Sequence, residues 1–358
     1  MQGEGARRAI LKYWEEKMDY VINIALLALG FVLLAKGADW FVDGASGIAR
    51  RFRLPEILIG ATVVSIGTTL PEVMVSAGAA MQGSGSIAYG NALGSIICNT
   101  SLIAAITIAI KPGPAARKSM TLPVAFFFGA AAIYCFSAYV LGKFTLSIGL
   151  VLLATFVIYM VSTVLRMKKS VTDVGTLSTE AELEAASGED YTVESEEAGT
   201  KDSLLKDMVL LVVGAAVIAI GASLLNNNAQ ELARMCGISE KVIGLTIVAL
   251  GTSLPELVTA ITALAKGHGS LSLGNIIGAN LFNLVLVSGT AITISPFDLP
   301  VSGTIAGINS SLVLDIPVML GVMLIMVAPT MIKQKLSRWQ GILLLGIYLA
   351  YTVSLFVM

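Results

Sequence analysis

Long uncharged apolar runs alternate with short polar intervals from about residue 21 to the end of the sequence. The runs fall at roughly 21–40, 57–81, 87–110, 120–141 and 144–165, then at about 207–225, 242–265, 271–294, 312–332 and 339–357. Most approach the ~20 apolar residues that a helix needs to cross the hydrocarbon core of a bilayer. The pattern predicts an all-α integral membrane protein with ten transmembrane helices, arranged as two sets of five. Residues 1–20 read as a short amphipathic lead, 21–165 as the first five-helix repeat, 166–206 as a linker and 207–358 as the second repeat.

Composition agrees, with 56% hydrophobic and 13% charged residues; an ordinary soluble domain carries about 25% charged residues. No basic patch points to nucleic acid. The linker is acidic: Glu180, Glu182, Glu184, Glu194, Glu196 and Glu197 lie among small polar residues, a composition that cannot bury enough apolar surface to fold alone. Lysines and arginines divide unevenly between the two sides of the ten spans. Fifteen fall on the side of the linker, from Arg50 to Arg338, and seven on the other. This places the linker in the cytoplasm of a cell (inner) membrane protein, with both termini outside. Cys98, Cys135 and Cys236 form no CxxC pair and suggest neither disulfides nor zinc. His268, the only histidine, is expected to be a solvated loop residue.

One string interrupts the second run. Gly67-Thr68-Thr69-Leu70-Pro71-Glu72 recurs 184 positions later as Gly251-Thr252-Ser253-Leu254-Pro255-Glu256. Around it, 60–100 and 244–284 share 16 identities in 41 positions. With five spans per half, the second copy enters from the opposite face, so an inverted-topology repeat is expected, an architecture of secondary transporters. Each string sets a proline and a carboxylate deep in an apolar run. Proline lacks an N–H and is expected to break the helix, baring carbonyls near Gly67 and Thr68. A carboxylate at that depth costs at least about 2.5 kcal/mol and marks a functional site by default. Two of them, in mirrored copies, suggest one shared cation site.

The third span of each half adds donors. In Gly90-Asn91-Ala92-Leu93-Gly94-Ser95-Ile96-Ile97-Cys98-Asn99 the glycines permit close helix approach, and Ser95 and Asn99 share a face. Gly274 through Asn283 repeats the pattern, with Asn283 matching Asn99. The asparagines also suit plain interhelical hydrogen bonding. Glu72, Glu256, Thr68, Thr69, Thr252, Ser253, Ser95, Asn99 and Asn283 together offer oxygen without sulfur or imidazole. Such a set suits a hard cation such as Ca²⁺. One Ca²⁺, two Na⁺ or two protons would neutralise the two glutamates equally well.

The paired GT[TS]LPE strings, each followed by GNxxG and an asparagine, resemble the α-repeats of the calcium/cation antiporter superfamily, most closely its prokaryotic sodium/calcium exchangers. The resemblance implies that the second, third, seventh and eighth helices enclose the ions while the first and sixth slide across them. It implies Ca²⁺ on Glu72 and Glu256, Na⁺ sites shared with them, and carbonyl ligands from Ser65 and Ala249. Na⁺/Ca²⁺ antiport by alternating access is the expectation, with Ca²⁺/H⁺ antiport on the same two glutamates as the alternative. Ca²⁺ and Na⁺ are then transported ions, not cofactors. Two departures stand out. Ala279 replaces a family serine, and Asn283 stands where potassium-dependent members have aspartate. No HExxH or GxSxG string occurs, so an enzyme is not expected. Interfacial solvation is expected for Asp39 and Asp43, and a helix-end role for Asp315.

Overall fold

The computed structural model describes residues 2–52, 54–175, 201–237, 249–301 and 303–357. The acidic centre of the linker, 176–200, and the first residues of the seventh apolar run, 242–248, lie outside the described residues.

The chain is helical: α1 Gln2–Arg51, α2 Glu56–Met81, α3 Gly85–Ile110, α4 Arg117–Leu141, α5 Leu146–Gly175, α6 Lys201–Met235, α7 Leu254–Ala265, α8 Gly269–Ile294, α9 Ser311–Lys333 and α10 Arg338–Val357. Eight of them contain described stretches long and apolar enough to cross a membrane; α7, with 12 residues, and α10 are the others. Large apolar side chains such as Phe31, Met74, Leu165 and Leu349 face outward, as lipid-facing positions do. Burial separates the layers. It reaches 61%, 72% and 83% of the apolar window in α2, α3 and α8, against 22% in α1, α5 and α6. The inner helices are therefore those that carry most of the repeated polar residues.

The internal duplication is visible in backbone geometry. Within α3, an α-helical stretch Gly85–Cys98 passes into a π-helical turn Asn99–Ala104 and back to α over Ala105–Ile110. Within α8 the same three segments are Gly269–Phe282, Asn283–Ser288 and Gly289–Ile294. Every boundary is displaced by the 184 residues that separate the two strings. Single π-turns inside α-helices concentrate at functional sites, and each of these begins at a candidate ligand.

Two expectations change. The lead does not stand apart, because α1 runs unbroken from Gln2 to Arg51 and spans far more than 21–40. Nor does Pro71 break its helix: Ser65–Met81 is continuous through it. A π-helical turn at Gly60–Val64 precedes that stretch, and Pro71 removes only the one donor that would have met the Gly67 carbonyl. In the second half the break is present. One helical turn, Ala249–Thr252, ends at Ser253, and α7 starts at Leu254 with Pro255 among its first residues.

Helices α1 and α6 pack antiparallel along a seam of glycines. A Cβ on Gly30, Gly37 or Gly44 would lie 2.5 to 2.8 Å from backbone atoms of α6, and one on Gly214 or Gly221 would lie 2.6 Å from backbone of α1. Glycine at seven-residue spacing lets the two backbones touch without side chains between them. Arg51 and Asp207 close one end, 3.7 Å apart. Forcing a side chain into a filled seam costs about 1–3 kcal/mol. Gly37→Leu and Gly221→Leu should each lower the thermal midpoint of the purified protein, whereas Gly129→Leu, with no described atom within 4 Å of its added Cβ, should leave it in place.

Candidate functional site

Helix α2 carries Ser65, Thr68, Thr69 and Glu72 inward, at exposures of 1% or less. Glu256 lies in the first turn of α7, equally buried, where the helix dipole favours a negative charge. The two carboxylates lie within electrostatic reach of one another. The structure thus brings together residues 184 apart in sequence. None of their four oxygens has a hydrogen-bond donor among the described residues, and no lysine, arginine or histidine pairs with either there.

The neutral donors lie on helices that pack against those carrying this pair. Thr68 and Thr69 face Glu256 without closing a hydrogen bond on it. The Thr68 hydroxyl donates to Asn275 Oδ1 at 3.2 Å, leaving its lone pairs free. Ser253 Oγ, Thr69 Oγ1 and both amide atoms of Asn99 are buried with no partner among the described residues. Asn283 is anchored by Nδ2 donating to the Ala279 carbonyl at 3.0 Å, while its Oδ1 accepts nothing from the described residues. Ser95 is buried one turn before Asn99. Thr252 is only half-buried, and Ala249 opens the turn ahead of the second string.

Buried polar atoms are almost always paired, and an orphan costs about 1–3 kcal/mol, more when charged. Here orphaned oxygens are contributed by α2, α3, α7 and α8, helices that pack against one another. That is the signature of atoms placed for a ligand that brings positive charge. Among the described residues no three His, Cys, Asp or Glu side chains gather. The set is two carboxylates plus hydroxyl and amide oxygens, which fits a hard cation and gives no purchase to a soft one.

The roles of several polar residues differ from expectation. Asn99 and Asn283 do not tie helices together among the described residues. Asn91 does so instead, donating to the Glu72 carbonyl at 3.2 Å and to Ser76 Oγ at 2.8 Å. Asn280 bonds Thr100 Oγ1 at 2.7 Å. Ser65 Oγ reaches the carbonyls of Gly60 and Asn275 at 2.7 and 3.0 Å, clamping the π-turn of α2 onto α8. On α8, Gly274 and Gly278 admit that turn closely, whereas no described atom lies within 4 Å of a Cβ on Gly90 or Gly94. Residues 241–248, which correspond to the covering segment by the same offset, lie outside the described residues.

Several ionisable residues outside this pair have partners. Lys266 Nζ sits 2.8 Å from Asp43 Oδ1 and 3.5 Å from Asp39 Oδ1, so these aspartates are ion-paired and not merely solvated. His268 Nδ1 lies 2.6 Å from Glu56 Oε1 and is half-buried, so it is no free loop residue. Asp315 makes no capping bond at the helix that follows; its carboxylate accepts from Tyr351 at 3.0 Å, inside α9. Two residues near the site were missed. Cys98 sits between Ser253 and Tyr348, within reach of both glutamates. Asn226 presses its Oδ1 against Gly251; three consecutive amides, Asn226 to Asn228, immediately after an apolar run were the available signal.

Removing an orphaned hydroxyl, exchanged for methyl in Thr69→Val and for hydrogen in Ser253→Ala, strands no hydrogen-bond partner and is close to neutral for stability. Thr69→Val and Ser253→Ala should therefore keep the ion-free thermal midpoint within about 2 °C while weakening Ca²⁺ binding by calorimetry at least about tenfold.

Comparison with known proteins places this arrangement. The family model described as sodium/calcium exchanger protein matches residues 22–165 and 206–357. An uncharacterised membrane protein of Methanocaldococcus jannaschii is 32% identical over 340 residues, which is 94% of this chain and 98% of that one. The sodium/calcium exchanger MaX1 of Methanosarcina acetivorans is 30% identical, over 94% of this chain and 99% of its own. Among solved structures, the sodium-calcium exchanger NCX_Mj soaked with Na⁺ and Sr²⁺ superposes with a TM-score of 0.73 at 31% identity, covering 94% and 99% of the two chains. With both halves matched and the repeated acids at its centre, the chain belongs to the sodium/calcium exchanger family.

Proposed function

We propose that this protein is a secondary antiporter that exchanges Na⁺ for Ca²⁺ by alternating access, and is not an enzyme. The observation that carries the proposal is the buried pair Glu72 and Glu256, supplied with neutral oxygens and with no fixed cation among the described residues. Two negative charges at low dielectric demand two positive ones. One Ca²⁺ or two Na⁺ satisfy the same carboxylates in turn, which is the competition that antiport requires. The cage would be completed by Thr68, Thr69, Ser95, Asn99, Thr252, Ser253 and Asn283, with carbonyls of Ser65 and Ala249. Ala279 offers no hydroxyl where the family has serine, which reduces the oxygens available to sodium.

Ten spans in two inverted halves suit this mechanism, since each half would present one acid to the midplane from its own side. The glycine seam supports α1 and α6 moving as one body across the inner helices, because backbones in direct contact cannot easily slip past each other. The excess of lysine and arginine on the linker side supports a cytoplasmic linker in a cell (inner) membrane, with both termini outside.

In proteoliposomes loaded with sodium, external calcium should enter only while the sodium gradient lasts, and Glu72→Gln or Glu256→Gln should abolish that entry. Uptake driven by a pH gradient with sodium irrelevant would instead establish Ca²⁺/H⁺ exchange.

A further inference from the structure

A second carboxylate is buried away from the transport cage. Asp315, in the π-helical turn Ser311–Asp315 at the start of α9, is 8% exposed. Its Oδ1 accepts the Tyr351 hydroxyl of α10 at 3.0 Å, and no lysine, arginine or histidine pairs with it among the described residues. One neutral donor does not offset a charge at that burial.

Hydroxyls gather around it from two further helices. Tyr89 of α3 and Tyr134 of α4 are 4% and 0% exposed, and neither phenol oxygen has a hydrogen-bond partner among the described residues. Both lie within electrostatic reach of Asp315, with their rings stacked at 6.1 Å. Ser311 approaches both Asp315 and Tyr89. It gives its own proton to the Pro300 carbonyl at 3.1 Å, so its oxygen is left as an acceptor. The other titratable groups facing the cluster, Cys135 and Tyr139, carry no positive charge.

We infer that Asp315, Tyr89, Tyr134 and Ser311 form a second binding site, for one monovalent hard cation of the Na⁺ class, separate from the Glu72–Glu256 cage. The donors are all oxygen, and a single carboxylate balances one positive charge; a divalent ion would leave a buried excess. The site is coupled to the cage through α8. Tyr134 faces Ser288, and Ser288 Oγ donates at 2.9 Å to the carbonyl of Asn283. A cation here braces α3, α4, α9 and α10 around the π-turn that presents Asn283.

The test uses the full-length Glu72→Gln/Glu256→Gln protein in detergent, so that the transport cage is silent and its correctness does not enter. Thermal midpoints and ²³Na relaxation are followed while NaCl replaces N-methylglucamine chloride at fixed pH and ionic strength. A saturable Na⁺ response is expected, lost in Asp315→Asn. Tyr89→Phe and Tyr134→Phe remove hydroxyls that have no hydrogen-bond partner among the described residues, so they should fold normally and weaken the response at least about tenfold. These two carry the test should Asp315→Asn fail to fold. Absence of a Na⁺ response, its persistence without Asp315 or the phenols, or a response that follows pH and ignores Na⁺ overturns the inference.

Discussion

Glu72 and Glu256 sit at the centre of the helical core with no exposure, within reach of each other's charge, and unpaired with any fixed cation among the described residues. Removing one such charge from water costs several kcal/mol even after relaxation. Two of like sign add mutual repulsion. The inner core is therefore consistent only with mobile positive charge, and most of what surrounds the pair follows from that. The oxygens of Thr69, Ser253, Asn99 and Asn283 meet no donor among the described residues, as the proposed role of ligand requires. Neighbouring polar side chains, in contrast, bond across helices: Asn91, Asn280 and Ser65 fix the helices that carry those oxygens.

The architecture divides the labour. Heavily buried α2, α3 and α8 carry most of the polar residues, and π-turns beginning at Asn99 and Asn283 place equivalent amides at equivalent points along α3 and α8. Outside them, α1 and α6 meet backbone to backbone along glycines. Lys266, in the loop after α7, ties that outer pair to the core through Asp39 and Asp43. These ion pairs are partly exposed and individually weak, which suits a contact that must open and close.

Much of this was legible in the sequence because duplication marks function twice. A lone Glu72 in an apolar run is ambiguous; the same acid after the same proline 184 residues later is not. Asn99 and Asn283 were found by the same offset. What the repeat could not disclose was asymmetry. Pro71 leaves its helix continuous while Ser253 interrupts the other, because a helix accommodates one lost hydrogen bond when neighbouring turns adjust. Pairings between distant segments, such as Lys266 with Asp43 or His268 with Glu56, have no local signature. The length of α1 was hidden because a hydropathy run ends at the first charges, whereas the helix does not.

The most direct test is to locate the ion. Crystals of this protein soaked in Sr²⁺ give anomalous scattering that marks a divalent site without assumptions about its ligands. The account predicts a principal peak bridging the carboxylates of Glu72 and Glu256, displaced as Na⁺ is raised. A principal peak elsewhere, or carboxylates drawn apart onto separate protein partners, would contradict it.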